Sequence, residues 1–126
     1  MKTRSPRVLL EQMLEAARAA VSFVEGLDKG AFLADLRTQH AVSMALLTIG
    51  EMAGRLVRRH PDFIAASSEI QWDRIQAMRH RIAHGYFELD FNIVWDTVQH
   101  DAPDLLARLP PLIMATAAGG DASKHS

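Results

Sequence analysis

The stretch Asp35–Arg59, DLRTQHAVSMALLTIGEMAGRLVRR, decides how the rest of the chain is read. Val42, Leu46, Ile49, Ala53 and Leu56 recur at three- and four-residue spacing, the period of one helix face. Met44, Ala45, Leu47 and Met52 widen that face beyond what one partner helix would cover. The reading is a long helix that buries two faces, one in the core and one against a second subunit. It ends at His60-Pro61, because the residue before a proline avoids the helical region.

The same period runs on either side of it. Upstream, Ser5 and Pro6 suit an N-cap and first helical position. Leu10, Met13, Leu14, Ala17, Val21 and Val24 then form a stripe that Gly26 stops. A short connector follows, with Phe32 and Leu33 tucked under neighbouring helices. Downstream, a helix starts between Ser68 and Trp72, with SEIQ as a capping box and Trp72, Ile75, Met78 and Ile82 as its apolar face. Asp90 caps a further helix carrying Phe91, Val94, Trp95 and Val98, which Pro103 kinks and LPPL breaks. No run alternates as a strand would. The expected fold is all-α, an up-and-down bundle of four to five helices in a single domain over residues 1–118. The polar, glycine-rich residues 119–126 are expected to form a disordered tail.

Composition narrows the function classes. A length of 126 residues suits one domain with a core of its own. The net charge of -1 gives no global case for nucleic-acid binding, so any basic surface must be local. The absence of cysteine excludes disulfides and thiolate metal sites and fits a cytoplasmic address. No apolar run approaches the roughly 18 residues of a membrane span.

The chemistry concentrates in Met78–Phe87, MRHRIAHGYF, where Arg79, His80, Arg81 and His84 precede Gly85 and Tyr86. With Gly85 as the residue after the helix, His84 becomes its C-cap. Arginine beside histidine suits RNA cleavage. The guanidinium fork binds phosphate oxygens and stabilises added negative charge, and the imidazole moves the proton of a ribose 2′-OH. Five helical steps, however, turn about 140°, so Arg79 and His84 do not share a face unless His84 leaves the helix or a symmetric partner completes the site. Spacing alone favours a plainer reading, in which cations near a helix C-terminus complement its dipole. His80 and His84 also stand four apart, as zinc ligands do, but flanking arginines and the lack of a neighbouring carboxylate base argue against a metal.

At these residues the sequence resembles the HepT-type toxins of the HEPN superfamily, all-helical RNA-cleaving domains whose motif is Arg, four residues, His, one residue, Tyr. It stands here as Arg79, His84 and Tyr86, within MRHRIAHGYFELDFNIVWDTVQHDAPDL. FVEGLDKGAFLADLRTQHAV, IGEMAGRL and the Trp72 helix follow the family's order, so the resemblance covers most of residues 8 to 110. It implies a metal-independent endoribonuclease without a cofactor, acting as a homodimer whose two subunits line one cleft. It also implies a partner, a minimal-nucleotidyltransferase antitoxin that transfers AMP to Tyr86. There the added charge and bulk would occupy the place of an RNA phosphate. His80 stands where the family commonly has asparagine. Glu51, in the IGE pattern, is expected to brace an arginine across the bundle, with His80 and Arg81 as further supporting residues.

Arg55, Arg58, Arg59 and His60 form a second basic cluster, read first as a solvated helix end, or as a track for the RNA backbone if it shares the cleft. Trp72 and Trp95 read as core. Two other classes stay open: a non-catalytic HEPN module that helps a nucleotidyltransferase hold its substrate, and a dimerising bundle without a ligand.

Overall fold

The computed structural model describes residues 4–83 and 88–123, with side chains as far as 116. Four main helices, α1 (Pro6–Phe23), α3 (Leu36–Arg59), α5 (Trp72–Ile82) and α6 (Phe91–Ser123), are joined through two short ones, α2 (Lys29–Leu33) and α4 (Pro61–Ala66). The all-α expectation holds. Among the described residues the sole β pairing is a single antiparallel bridge between Ala83 and Leu89.

Local chemistry sets most of the boundaries. Ser5 Oγ accepts from the Val8 amide at 3.3 Å, and Pro6 begins α1. After α1 the chain turns through Gly26 at φ 78°, a left-handed conformation that glycine adopts without a Cβ clash. Asp28 caps α2, accepting from the Ala31 amide at 2.8 Å. Asp35 caps α3 with both oxygens, one taking the Thr38 amide at 3.1 Å and the other the Thr38 hydroxyl at 2.6 Å. Asp90 Oδ1 accepts from the amides of Asn92 and Ile93 to begin α6.

The core is one cluster drawn from all the long helices. Leu9, Leu10 and Met13 of α1, Val42, Leu46, Ile49 and Leu56 of α3, Ile82 of α5, and Val94, Val98 and Leu109 of α6 are essentially removed from solvent. Burial at this level stabilises by roughly 1.5–3 kcal/mol for each large aliphatic side chain. The breadth of the α3 stripe is largely used within the chain, since α1, α5 and α6 all pack on α3. Beyond its first turn, where Leu36 is 62% exposed, Met44 is the large apolar residue of α3 left most open, at 66%.

Four local expectations are corrected. The SEIQ capping box does not form: Gln71 is the N-cap of α5 and makes no side-chain capping bond. Burial of Trp72, whose Nε1 donates to the Ser67 carbonyl at 3.1 Å, sets that helix start instead. Leu33 is 41% exposed, and only Phe32 is tucked in, its ring 5.3 Å from that of Trp95. Pro103, Pro110 and Pro111 lie inside a continuous α6, which runs past residue 118 to Ser123. Pro103 and Pro111 face solvent, where water can satisfy the carbonyls they leave free, while Leu105, Leu109 and Leu112 on the other side are buried. Finally, α5 ends at Ile82, and Ala83 is its C-cap in extended geometry at φ −120° and ψ 109°. The cap therefore falls one residue earlier than the sequence suggests, because Ala83 already pairs with Leu89.

Hydrogen bonds from Thr38 hold the Asp35 carboxyl below the ordinary carboxylate pKa. A depressed folded-state value contributes stability above the unfolded pKa of about 3.9, which is lost as pH falls through the folded value. We expect Asp35→Ala to lower the melting temperature at neutral pH. The gap from wild type should narrow as thermal scans move to about pH 2. A gap that does not change with pH would show that the carboxylate charge contributes nothing.

Candidate functional site

The apolar face of α5 dictates where Arg79 goes. Trp72, Ile75, Met78 and Ile82 are buried, holding α5 on α3, and Arg79 lies one turn beyond Ile75 at the edge of that face. Its aliphatic stem crosses α3 at Gly50. A Cβ on Gly50 would stand 2.8 Å from the Arg79 Cβ and 3.1 Å from its Cδ, so the crossing requires a residue without a side chain. Beyond this seat the guanidinium reaches Glu51, with Nη2 3.4 Å from Oε1.

Glu51 serves two more arginines through its other oxygen. Arg55 Nε donates to Oε2 at 3.3 Å, and Arg58 Nη2 stands 3.9 Å from the same atom. Arg58 reaches it by folding back over Gly54, where a Cβ would meet its Nη1 at 3.0 Å. Thus the arginine that Glu51 meets across the bundle is Arg79.

The magnitudes say what this cluster is for. Glu51 is 35% exposed and Arg79 47%, and pairs this wet contribute roughly 0–1 kcal/mol each. Apolar contact, not the ion pair, holds α5 against α3. The ion pair orients the Arg79 head. Three guanidinium groups against one carboxylate also leave a local excess of positive charge on a chain of net charge -1.

The remaining residues singled out from sequence separate into groups. His80 and Arg81 are exposed, at about 100° and 200° around α5 from Arg79, so neither faces Glu51. His84 and Tyr86 lie outside the described residues. The chain on either side of them is tied together: Ala83 bridges Leu89, and the Asp90 amide donates to the Ile82 carbonyl at 3.0 Å. His60 leaves the second basic cluster, its Nε2 lying 2.8 Å from the Arg4 carbonyl oxygen. Trp72 is buried and Trp95 half-buried, so both tryptophans are core residues. Gly50 is the position in this candidate site that sequence reasoning missed. The signal was its place directly before Glu51, in a helix interior that disfavours glycine.

A cavity of about 530 Å³ between α3, α5 and α6 involves neither Arg79 nor Glu51. Its cations are matched, Arg74 to Asp101 at 3.1 Å and Arg108 to Asp104 at 2.8 Å, so it offers no surplus charge to a polyanion. No described helix is long and apolar enough to cross a membrane.

The profile of the ribonuclease HepT-like family matches residues 13–111, a span that contains the whole α3–α5 site. The chain belongs to that family. It is 34% identical over 109 residues to a protein of Thermococcus cleftensis named "Probable ribonuclease HepT", covering 86% of this chain and 96% of the relative. It is 28% identical over 113 residues to a candidate RNase of Methanocaldococcus jannaschii, covering 90% and 91%. A candidate RNase of Caldanaerobacter subterraneus is 28% identical over 102 residues, covering 81% and 88%. No solved structure matches the chain. Arg79 and Glu51 both lie inside the matched span.

The two glycines give opposite expectations. Alanine gains about 1 kcal/mol of helix propensity over glycine, whereas overpacking costs about 1–3 kcal/mol. Gly50→Ala meets an anchored Cβ and should be less stable than wild type. Gly54→Ala meets only a mobile guanidinium and should match or exceed wild type. Urea titrations of both variants check this, and equal stability of the two would remove the close-packed seat from the account.

Proposed function

We propose that this protein is a metal-independent endoribonuclease toxin, with Arg79 and His84 performing the chemistry. The observation that carries this reading is the seat of Arg79. Its stem is confined at Gly50, its head is aimed by Glu51, and it stands five residues before His84 in a HepT-like framework.

The reaction is a transesterification. The His84 imidazole takes the proton of a ribose 2′-OH, whose oxygen attacks the adjacent phosphorus. The bond to the 5′ oxygen breaks, and a protonated imidazole returns a proton to that leaving oxygen. The products are a 2′,3′-cyclic phosphate and a 5′-hydroxyl. Arg79 stabilises the extra negative charge on the phosphoryl oxygens in the transition state.

A symmetric dimer is part of this proposal. Its support is an apolar concavity between α1 and α3, floored by Ala16, Ala19, Ala41 and Ala45 and flanked by Met44 and Phe23, the latter 45% exposed. Met44, Glu51 and Arg58 recur every seven residues, so a second copy seated on Met44 would lie beside the arginine cluster. The proposal also assigns the neutralising partner: a nucleotidyltransferase antitoxin that AMPylates Tyr86, placing negative charge and bulk beside His84.

Purified, unmodified protein in excess chelator should cleave single-stranded RNA and leave 2′,3′-cyclic phosphate ends. His84→Ala should lower the rate by about 10²–10⁴-fold and Arg79→Ala by about 10²–10³-fold, both remaining folded. Expression without the partner should arrest growth, and His84→Ala should abolish the arrest. A folded, unmodified dimer that cleaves no RNA and harms no cell would favour a non-catalytic HEPN module, with His80 the first departure to test.

A further inference from the structure

We infer that Arg55 and Arg58 form a second phosphate subsite, which holds an RNA backbone phosphate neighbouring the one that Arg79 engages, with Glu51 as the positioning residue shared by both. This rests on the ribonuclease reading above and extends it from one arginine to a track.

The geometry points there for three reasons. First, Arg55, Arg58 and Arg79 come from two helices yet meet at one carboxylate, at 3.3, 3.9 and 3.4 Å. Arg55 and Arg58 both reach back along α3 to the carboxylate that Arg79 meets from α5. Second, the charges do not balance. One carboxylate leaves the guanidinium groups with excess positive charge and mutual repulsion, which a polyanion relieves. The charged pairs around the α3–α5–α6 cavity are matched one to one, so that cavity shows no such imbalance. Third, the heads remain available. Arg58 is 61% exposed and Arg55 30%, and each is held by pairs weak enough for a phosphate to displace.

Glu51 accordingly has two opposed effects. It holds the Arg79 head at the crossing of α3 and α5, which favours the transition state. It also competes with phosphate for Arg55 and Arg58, which weakens ground-state binding. Replacing its charge should therefore separate KM from kcat.

The experiment measures binding of a labelled single-stranded oligoribonucleotide to the full chain carrying His84→Ala, across a series of salt concentrations. Adding Arg55→Ala or Arg58→Ala should weaken binding several-fold. Each should also reduce the slope of log Kd against log salt by about 0.7, the value for one phosphate contact on a single strand. Arg55→Lys should keep the slope. Arg108→Ala, at the cavity whose cations are matched to carboxylates, should leave both quantities unchanged. In the otherwise native chain, Glu51→Gln should lower KM and kcat together. Arg58 is exposed enough that its variant reports even where Arg55→Ala disturbs folding by circular dichroism.

A wild type that cleaves RNA while both alanine variants keep the parent slope overturns this inference and leaves the ribonuclease reading standing. Slopes that fall as stated, in a protein that cleaves nothing, uphold the subsite and overturn the ribonuclease reading. A protein that neither binds nor cleaves RNA overturns both.

Discussion

The structure depends on the burial of α3. Every other helix packs against it, so Val42, Leu46, Ile49, Ala53 and Leu56 are lost to solvent together. A helix enclosed on so many sides keeps only a narrow exposed stripe, which runs from Met44 through Glu51 to Arg58. Charged side chains on α3 must use that stripe, since burying an unpaired charge costs several kcal/mol. The candidate site follows from this constraint. Arg55 and Arg58 are gathered beside Glu51 because this part of α3 offers them little other surface.

Within that stripe, rigid contact and weak electrostatics have different tasks. The Arg79 stem against Gly50 is close-packed, and close packing is what fixes direction. The pairs at Glu51 are solvated and shared, so they orient without locking. A phosphate-binding arginine needs this combination: a backbone and stem that do not move, and a head that can exchange a carboxylate for a phosphate. A fully buried Arg79–Glu51 pair would have been harder to open and would have reached no polyanion.

Most elements were legible because their causes are local. Ser5, Asp35 and Asp90 cap helices at the positions their side-chain chemistry suggests, and the period of the apolar residues located the four main helices. The misreadings share a physical origin. SEIQ has the residue types of a capping box, but burial of Trp72 decided the helix start. LPPL looks like a break, yet α6 continues with Pro103 and Pro111 on the outer side while Leu105 and Leu109 keep the inner side packed. The sequence suggests His84 as a cap, but pairing of Ala83 with Leu89, six residues on, ends α5 sooner. In each case a nonlocal contact overrode a local preference.

The same division applies to the site. By itself the sequence determined that the chain is helical, and it set arginines and histidines together in Arg79–His84 and Glu51 inside an apolar stripe. Residue types and their spacing carry that much, because capping, amphipathic burial and charge pairing act over a few residues. Only the tertiary structure decided which arginine Glu51 braces, that Gly50 is the seat for its stem, and that Arg55 and Arg58 share the same carboxylate. Those facts depend on the crossing of α3 and α5, which is set by how two apolar faces distant in sequence fit together.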